Sequence, residues 1–403
     1  MSIMVTTFLC VAFIVVAVLI VWKKRRTWFI RHALGQSGTS KNLLAGIDSK
    51  DFTDYFALTG VLPPKPLPDF DIDKALPRPY RPFRWKYHQT MSFQAMDPDW
   101  WLELECTYRE RIAQRKRLYA QHGRNIIDMM PGSENACTEL AEMVIQFLCV
   151  RYPNQFSLDS SGIFHNRILG RSFDTKGVKM PLELLLENVP EDFLLVQEDK
   201  ETGLYHFCAG VSASAVGWNM SMKIGKALHD VHGPVPYYKE KLQHSMDRYF
   251  VKMPCEKPIQ RGSWSLEVGQ PLYMQADDIH WAARSVQDPN LDINDIYLRV
   301  DWQTLRRLPK SRAIVFNFKA LFTPVIHFRE EPFIPHLVGT VLREAEKPFM
   351  EYKSTFHIAH KVIPALEVWA QEQEEKGWVP KDWASRTLEE NPFYPGWQLH
   401  HRY

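Results

Sequence analysis

Residues 190–211 read PEDFLLVQEDKETGLYHFCAGV, and this stretch decides the fold class. Residues 193–199 and 204–211 are short runs rich in aromatic and branched side chains. Lys200-Glu201-Thr202-Gly203 lies between them, so the pattern predicts two antiparallel strands joined by a turn. Working outward, 264–268, 297–302 and 312–319 read as further strands. Residues 100–122 and 136–152 carry helical periodicity, with Leu140, Met143, Val144 and Phe147 on one stripe of the second. A helix is expected over 219–231, stopped by Gly233-Pro234, and a last long one over 354–375 before a tryptophan-rich tail. Helices flanking clustered hairpin-like strands predict an α+β fold rather than a doubly wound parallel sheet.

The N-terminus carries a different signal. Residues 3–22 read IMVTTFLCVAFIVVAVLIVW, without a charge, and Lys23, Lys24, Arg25 and Arg26 follow at once. About 20 helical residues at about 1.5 Å each cross a hydrocarbon core roughly 30 Å thick. A cleavable signal would carry its charge before the apolar core and a small-residue site after it, whereas here the charge follows. The expectation is one transmembrane anchor with everything after the basic flank in the cytosol, the endoplasmic reticulum being the expected membrane.

Bulk properties exclude several classes. Net charge is +2 over 403 residues and spread along the chain, which argues against a nucleic-acid surface. The six cysteines form no C-x-x-C pair, a pattern of reduced thiols rather than of a disulfide scaffold. Seven prolines within 62–82 predict an extended, semi-rigid spacer or a strap over the domain surface. The chain lacks G-x-G-x-x-G, G-x-x-x-x-G-K-[ST] and H-E-x-x-H. Gly210-Val211-Ser212-Ala213-Ser214 begins like a nucleophile elbow but lacks the final glycine. His357 and His360 share a helix face without a third metal ligand nearby in sequence.

The segment that carries chemistry is 223–236, KIGKALHDVHGPVP. On a helix stepping 100° per residue, Ile224, Leu228 and Val231 form an apolar stripe. His232 lies at its edge on the final turn, while His229 lies toward the polar side. Gly233-Pro234 then turns the chain away and leaves space beside the imidazole. A neutral imidazole facing an apolar cavity is what an axial haem ligand requires. A core histidine bonded at a helix end and a His229/His232 zinc pair are the alternatives.

Together with RGSWSLEV at 261–268 and LRVDWQTLRRLPKSRAIVFNF at 298–318, this segment resembles the haem-dependent oxidative N-demethylase family in its alpha-subunit-like haem domain. The stretch YRPFRWKYHQTMSFQAMDPDWW resembles the family's start, and PEDFLLVQED its first hairpin. The resemblance implies a PAS-like antiparallel sheet with surrounding helices around haem b. It also implies oxidation of an amine or another small organic substrate by dioxygen, with a methyl group leaving as formaldehyde. His232 matches the histidine of the family's I-H-x-P-V-P motif and is the expected iron ligand. Haem propionates pair with guanidinium forks, which makes Arg261, Arg299 and Arg306 candidate cofactor contacts. Asp301, Gln303 and Lys319 are the catalytic candidates.

The departures are specific. The family's Glu-Arg before Gln-Thr is Asp301-Trp302 here, its R-x-N-W is Arg261-Gly262-Ser263-Trp264, and Lys319 and Leu321 stand where a basic residue and a tyrosine usually close the strand. An indole in place of a guanidinium removes a charge and adds apolar bulk, so Trp302 in the active site would disfavour a small charged amine. The expected layout is an anchor with basic flank at 1–26, a juxtamembrane and proline-rich segment at 27–82, a haem-binding oxidase-like domain at 83–345, and a C-terminal helix and tail at 346–403. Electrons would come from a separate flavin or iron–sulfur reductase, since the chain has no fingerprint for either cofactor. The competing functions are a non-catalytic haem or small-ligand sensor on the same scaffold and a docking protein at the membrane.

Overall fold

The computed structural model describes residues 46–48, 52–88, 90–176 and 180–399. The apolar segment 3–22 and its basic flank lie outside them, and among the described residues no helix is long and apolar enough to cross a membrane. Strands β1 (Gln94–Ala95), β2 (Ile127–Met129), β6 (Asp192–Glu198), β7 (Tyr205–Val211), β8 (Ile259–Val268), β9 (Ile296–Arg307) and β10 (Ile314–Pro324) form one sheet, ordered β1-β8-β9-β10-β6-β7-β2. Every pairing in it is antiparallel. A smaller antiparallel sheet joins β3 (Phe156–Leu158), β4 (Ile163–Asn166) and β5 (Arg171–Asp174).

The hairpin expected at 193–211 is β6–β7. Its turn is fixed by Asp199, whose carboxylate accepts from the amides of Glu201 and Thr202 at 2.9 Å each. Gly203 supplies the positive φ of 69° that closes it. The strands read at 264–268, 297–302 and 312–319 are the recognisable parts of β8, β9 and β10, each longer than its sequence signal.

One face of the sheet packs on α1 (Tyr108–His122), α2 (Glu134–Arg151) and α3 (Pro181–Asn188). The helix expected from 100 begins only at α1, because Glu105 caps the preceding turn by accepting from the Thr107 amide and hydroxyl. Trp101, Leu102 and Leu104 are instead buried in irregular chain. The proline-rich segment runs through the core, with Phe70, Ile72, Ala75 and Tyr80 buried. Tyr80 stacks on Trp302 with ring centroids 4.1 Å apart. A Cβ on Gly262 would lie 2.6 Å from Pro82, so only glycine lets the strap pass this strand.

The other face carries a third apolar cluster, in which Phe207, Ile259, Leu305 and Ile314 meet residues of the segment 220–253. That segment is not the single helix expected over 219–231. α4 (Met220–Lys223) ends, the chain crosses Gly225 at φ 78°, and α5 (Leu228–Val231) begins. The edge of β7 causes the break. The Gly225 amide donates to the Phe207 carbonyl at 2.8 Å and the Phe207 amide to the Lys226 carbonyl at 2.9 Å, bonds a continuous helix would forfeit. α6 (Gln243–Lys252) follows a π-helical turn at Tyr238–Leu242. At the C-terminal end, α7 (Ile334–Glu344), α8 (Lys347–Tyr352) and α9 (Phe356–Glu375) pack with the strap on the β8–β9 end of the sheet.

Candidate functional site

Side chains alternate across a strand, so β9 sorts its residues by parity. Arg299, Asp301, Gln303, Leu305 and Arg307 share one face, and Leu305 belongs to the cluster that also holds Leu228. Val300, Trp302, Thr304 and Arg306 share the other. Register carries the sorting to the neighbours. Arg261 lies opposite Gln303, and Ser263 opposite Asp301. Phe318 lies opposite Gln303, and Phe316 opposite Leu305. Arg261, Ser263, Asp301, Gln303, Phe316 and Phe318 therefore line one wall.

His232 stands over that wall at the end of α5. Its Nδ1 lies 2.7 Å from the Leu228 carbonyl oxygen. A carbonyl only accepts, so Nδ1 carries the proton and Nε2 of the neutral ring keeps its lone pair. The ring stacks on Tyr238 at 5.0 Å and 8°, which sets its plane. Burial pulls its pKa down to about 4, with Lys223 and Arg261 adding to the fall against the Leu228 bond. His232 as a residue is half-buried.

Cationic groups gather along this wall. The Nε of Arg261 is buried without a hydrogen-bond partner. Burial lowers the pKa of Arg261, and the nearby Arg84 lowers it further. Arg84 is itself lowered by burial, and its Nη1 donates to the Thr90 hydroxyl, a neutral acceptor. Lys353, just past α8, donates to the Ser263 hydroxyl at 3.0 Å, and burial brings its pKa down to about 7. Facing these groups, Asp301 is raised by burial while Arg299 holds its Oδ1 at 3.0 Å.

The expected residues divide. Arg261, Asp301 and Gln303 share one face of the sheet, and His232 lies near Arg261. Arg299 is on the same face, but its fork holds protein: Nη1 donates to the Pro271 and Leu272 carbonyls at 2.9 and 3.0 Å, and Nη2 to the Ser214 carbonyl. It orients Asp301 rather than meeting a ligand. Arg306 and Lys319 must be removed from the site, because both lie on the opposite face. The Arg306 guanidinium sits 3.7 Å over the Trp101 ring. The Lys319 ammonium bonds the Glu103 carbonyl at 2.7 Å and the Glu105 carboxylate at 3.0 Å. Trp302, opposite Lys319 in register, is likewise turned from His232. The two-residue alternation is the reason: positions 302 and 306 cannot share a face with 301 and 303.

Arg84, Ser263 and Lys353 escaped the sequence reading. Arg84 and Ser263 lie inside quoted motifs, and parity with Arg261 would have found Ser263. Lys353 carries no local signal, since only the packing of α8 brings it to β8. His357 and His360 sit apart from further ligands, and among the described residues no cluster of three or more metal-ligating side chains occurs.

The donor set fits a haem. It offers a neutral imidazole with a free Nε2, whose other nitrogen is held by a carbonyl, as metal-ligating histidines are held. It adds the Phe316 and Phe318 rings and the Arg261 guanidinium, whose buried Nε lacks a partner and suits a carboxylate. A family model described as haem-dependent oxidative N-demethylase, alpha subunit-like, matches residues 92–363, more than half of the chain. The chain belongs to this family.

Proposed function

From that membership we propose that this chain is a haem-dependent oxidoreductase that oxidises an amine or a similar small organic substrate with dioxygen, a methyl group leaving as formaldehyde. The observation that carries the reading is the neutral His232 ring, bonded through Nδ1 to Leu228 and stacked on Tyr238. In this reading Nε2 of His232 would hold the iron of haem b on a PAS-like scaffold. Arg261 and Arg84 would neutralise its propionates. Bound there, the haem supplies the iron at which dioxygen is reduced and the substrate carbon oxidised.

The other residues bind and orient. Asp301, held by Arg299, offers a carboxylate to a protonated amine, and its raised pKa lets it take up a proton as the amine is consumed. The Gln303 amide can direct a hydrogen bond from the same face. Phe316 and Phe318 exclude water. Trp302 lies on the other face, so its replacement of an arginine does not set the charge beside Asp301.

Electrons come from a separate flavin or iron–sulfur reductase. Residues 3–22 hold the chain at a membrane, the endoplasmic reticulum in this proposal, with the domain on the cytosolic side. The test is the absorption spectrum of the purified full chain. A Soret band in the wild type, lost or shifted in His232→Ala, is expected. A wild type that shows none after haem supplementation would overturn the reading.

A further inference from the structure

The face of β9 turned from His232 borders a small cavity of about 10 Å³, whose lining includes Trp101, Glu191, Trp302, Thr304, Asn317 and Lys319. Remote parts of the chain meet there: the irregular segment that holds Trp101 and Glu103, the residue before β6, and the paired strands β9 and β10. Most polar groups around the cavity are committed to protein. Oδ1 of Asn317 accepts from the Trp101 indole at 3.0 Å and from the Thr304 hydroxyl. The Lys319 ammonium is held by the Glu103 carbonyl and the Glu105 carboxylate. Oε1 of Glu191 accepts from the Glu103 amide at 3.0 Å.

Trp302 and Glu191 each bring an atom to this lining that has no partner among the described residues. Nε1 of Trp302, a residue 7% exposed, and Oε2 of Glu191, 2% exposed, are buried and unbonded. Buried polar atoms are almost always paired, because an unpaired one carries its full desolvation cost. The two atoms are of opposite kind, since an indole N–H only donates and a carboxylate oxygen only accepts. A molecule that pairs both must accept and donate at once. Dioxygen or a carbonyl cannot donate, and a protonated amine cannot accept. Burial raises the Glu191 carboxyl to about 7 against the opposing Lys319 charge, so near neutrality it exists both ionised and protonated. The occupant must then donate to one form and accept from the other, which water does. Size agrees with chemistry, because about 10 Å³ is the room that one water needs and is too little for an organic substrate.

We propose that this cavity binds a single water molecule, which accepts from Trp302 Nε1 and hydrogen-bonds Glu191 Oε2, and so ties β9 to the chain around Glu103 and Glu191. The water fixes one side of the Trp302 indole, as the Tyr80 ring fixes its face. No contact to haem enters the site, so it stands or falls independently of the reading of His232.

The full chain is purified in detergent with its tryptophan indole nitrogens isotope-labelled. The Trp302 signal is identified by its loss in Trp302→Phe, which keeps a ring against Tyr80. That indole proton is expected to show a cross-peak to the water resonance, with the sign of dipolar contact rather than of chemical exchange. A crystal structure of the wild type at about 1.5 Å resolution should show one isolated density peak within about 3.2 Å of both Trp302 Nε1 and Glu191 Oε2. A Trp302 indole without the dipolar cross-peak overturns the proposal. So does density too long for a water, or a structure in which Trp302 and Glu191 bond other protein groups instead. Should Trp302→Phe fail to fold, the wild-type crystal structure decides alone.

Discussion

The state of His232 can be tested through stability alone. The folded ring has its pKa pulled down to about 4, against 6.5 for an ordinary histidine. Between those values the unfolded chain takes up a proton that the folded chain refuses. The unfolded state then binds more protons, so stability falls as pH falls. The contribution is fully present above about pH 6.5 and is lost as pH drops toward 4. Each pH unit in the window corresponds to about 1.4 kcal/mol, so the whole gap is worth about 3 kcal/mol. The perturbation is His232→Phe, which keeps a ring to stack on Tyr238 but cannot protonate. Urea unfolding of haem-free wild type and variant is compared at pH 6.5 and pH 5. Loss of the bond to Leu228 lowers the variant's stability equally at both pH values and cancels. Wild type should lose about 2 kcal/mol more than the variant over this interval. Equal losses would refute a buried neutral imidazole and, with it, the free Nε2.

Four further outcomes separate the faces and the frame. Arg261→Leu should weaken haem binding in a spectroscopic titration by about tenfold, a charge-assisted pair being worth about 1.5–3 kcal/mol. Arg306→Leu, on the opposite face, should leave haem affinity unchanged while lowering stability through its lost stacking on Trp101. Asp192→Ala should cost at least about 3 kcal/mol in denaturant unfolding, because Asp192 is fully buried, pairs with Arg115, and accepts from the Ser212 hydroxyl and the Ala213 and Ser214 amides. Gly262→Ala should destabilise by about 1–3 kcal/mol by forcing the added methyl against Pro82, read as a lowered melting temperature.

Local pattern alone settled much of this protein. The β6–β7 hairpin was legible because its strands and its Asp199 turn are encoded within one short stretch. The order of motifs pointed to the family, and 223–236 singled out His232. The odd–even parity of 299–307 was also present in the sequence and would have set Arg306 and Trp302 apart from Asp301 and Gln303. Tertiary structure decided the rest, for reasons of range. Lys319 could be assigned to a face only through its register with Trp302, a property of two strands together. The helix over 219–231 broke because Phe207, distant in sequence, offered Gly225 and Lys226 better backbone partners. Lys353 reached Ser263 across 90 residues, and no periodicity records such a contact. Hydrogen bonds and packing between remote segments have no local signature, so the sequence singled out His232 while only the fold chose its neighbours.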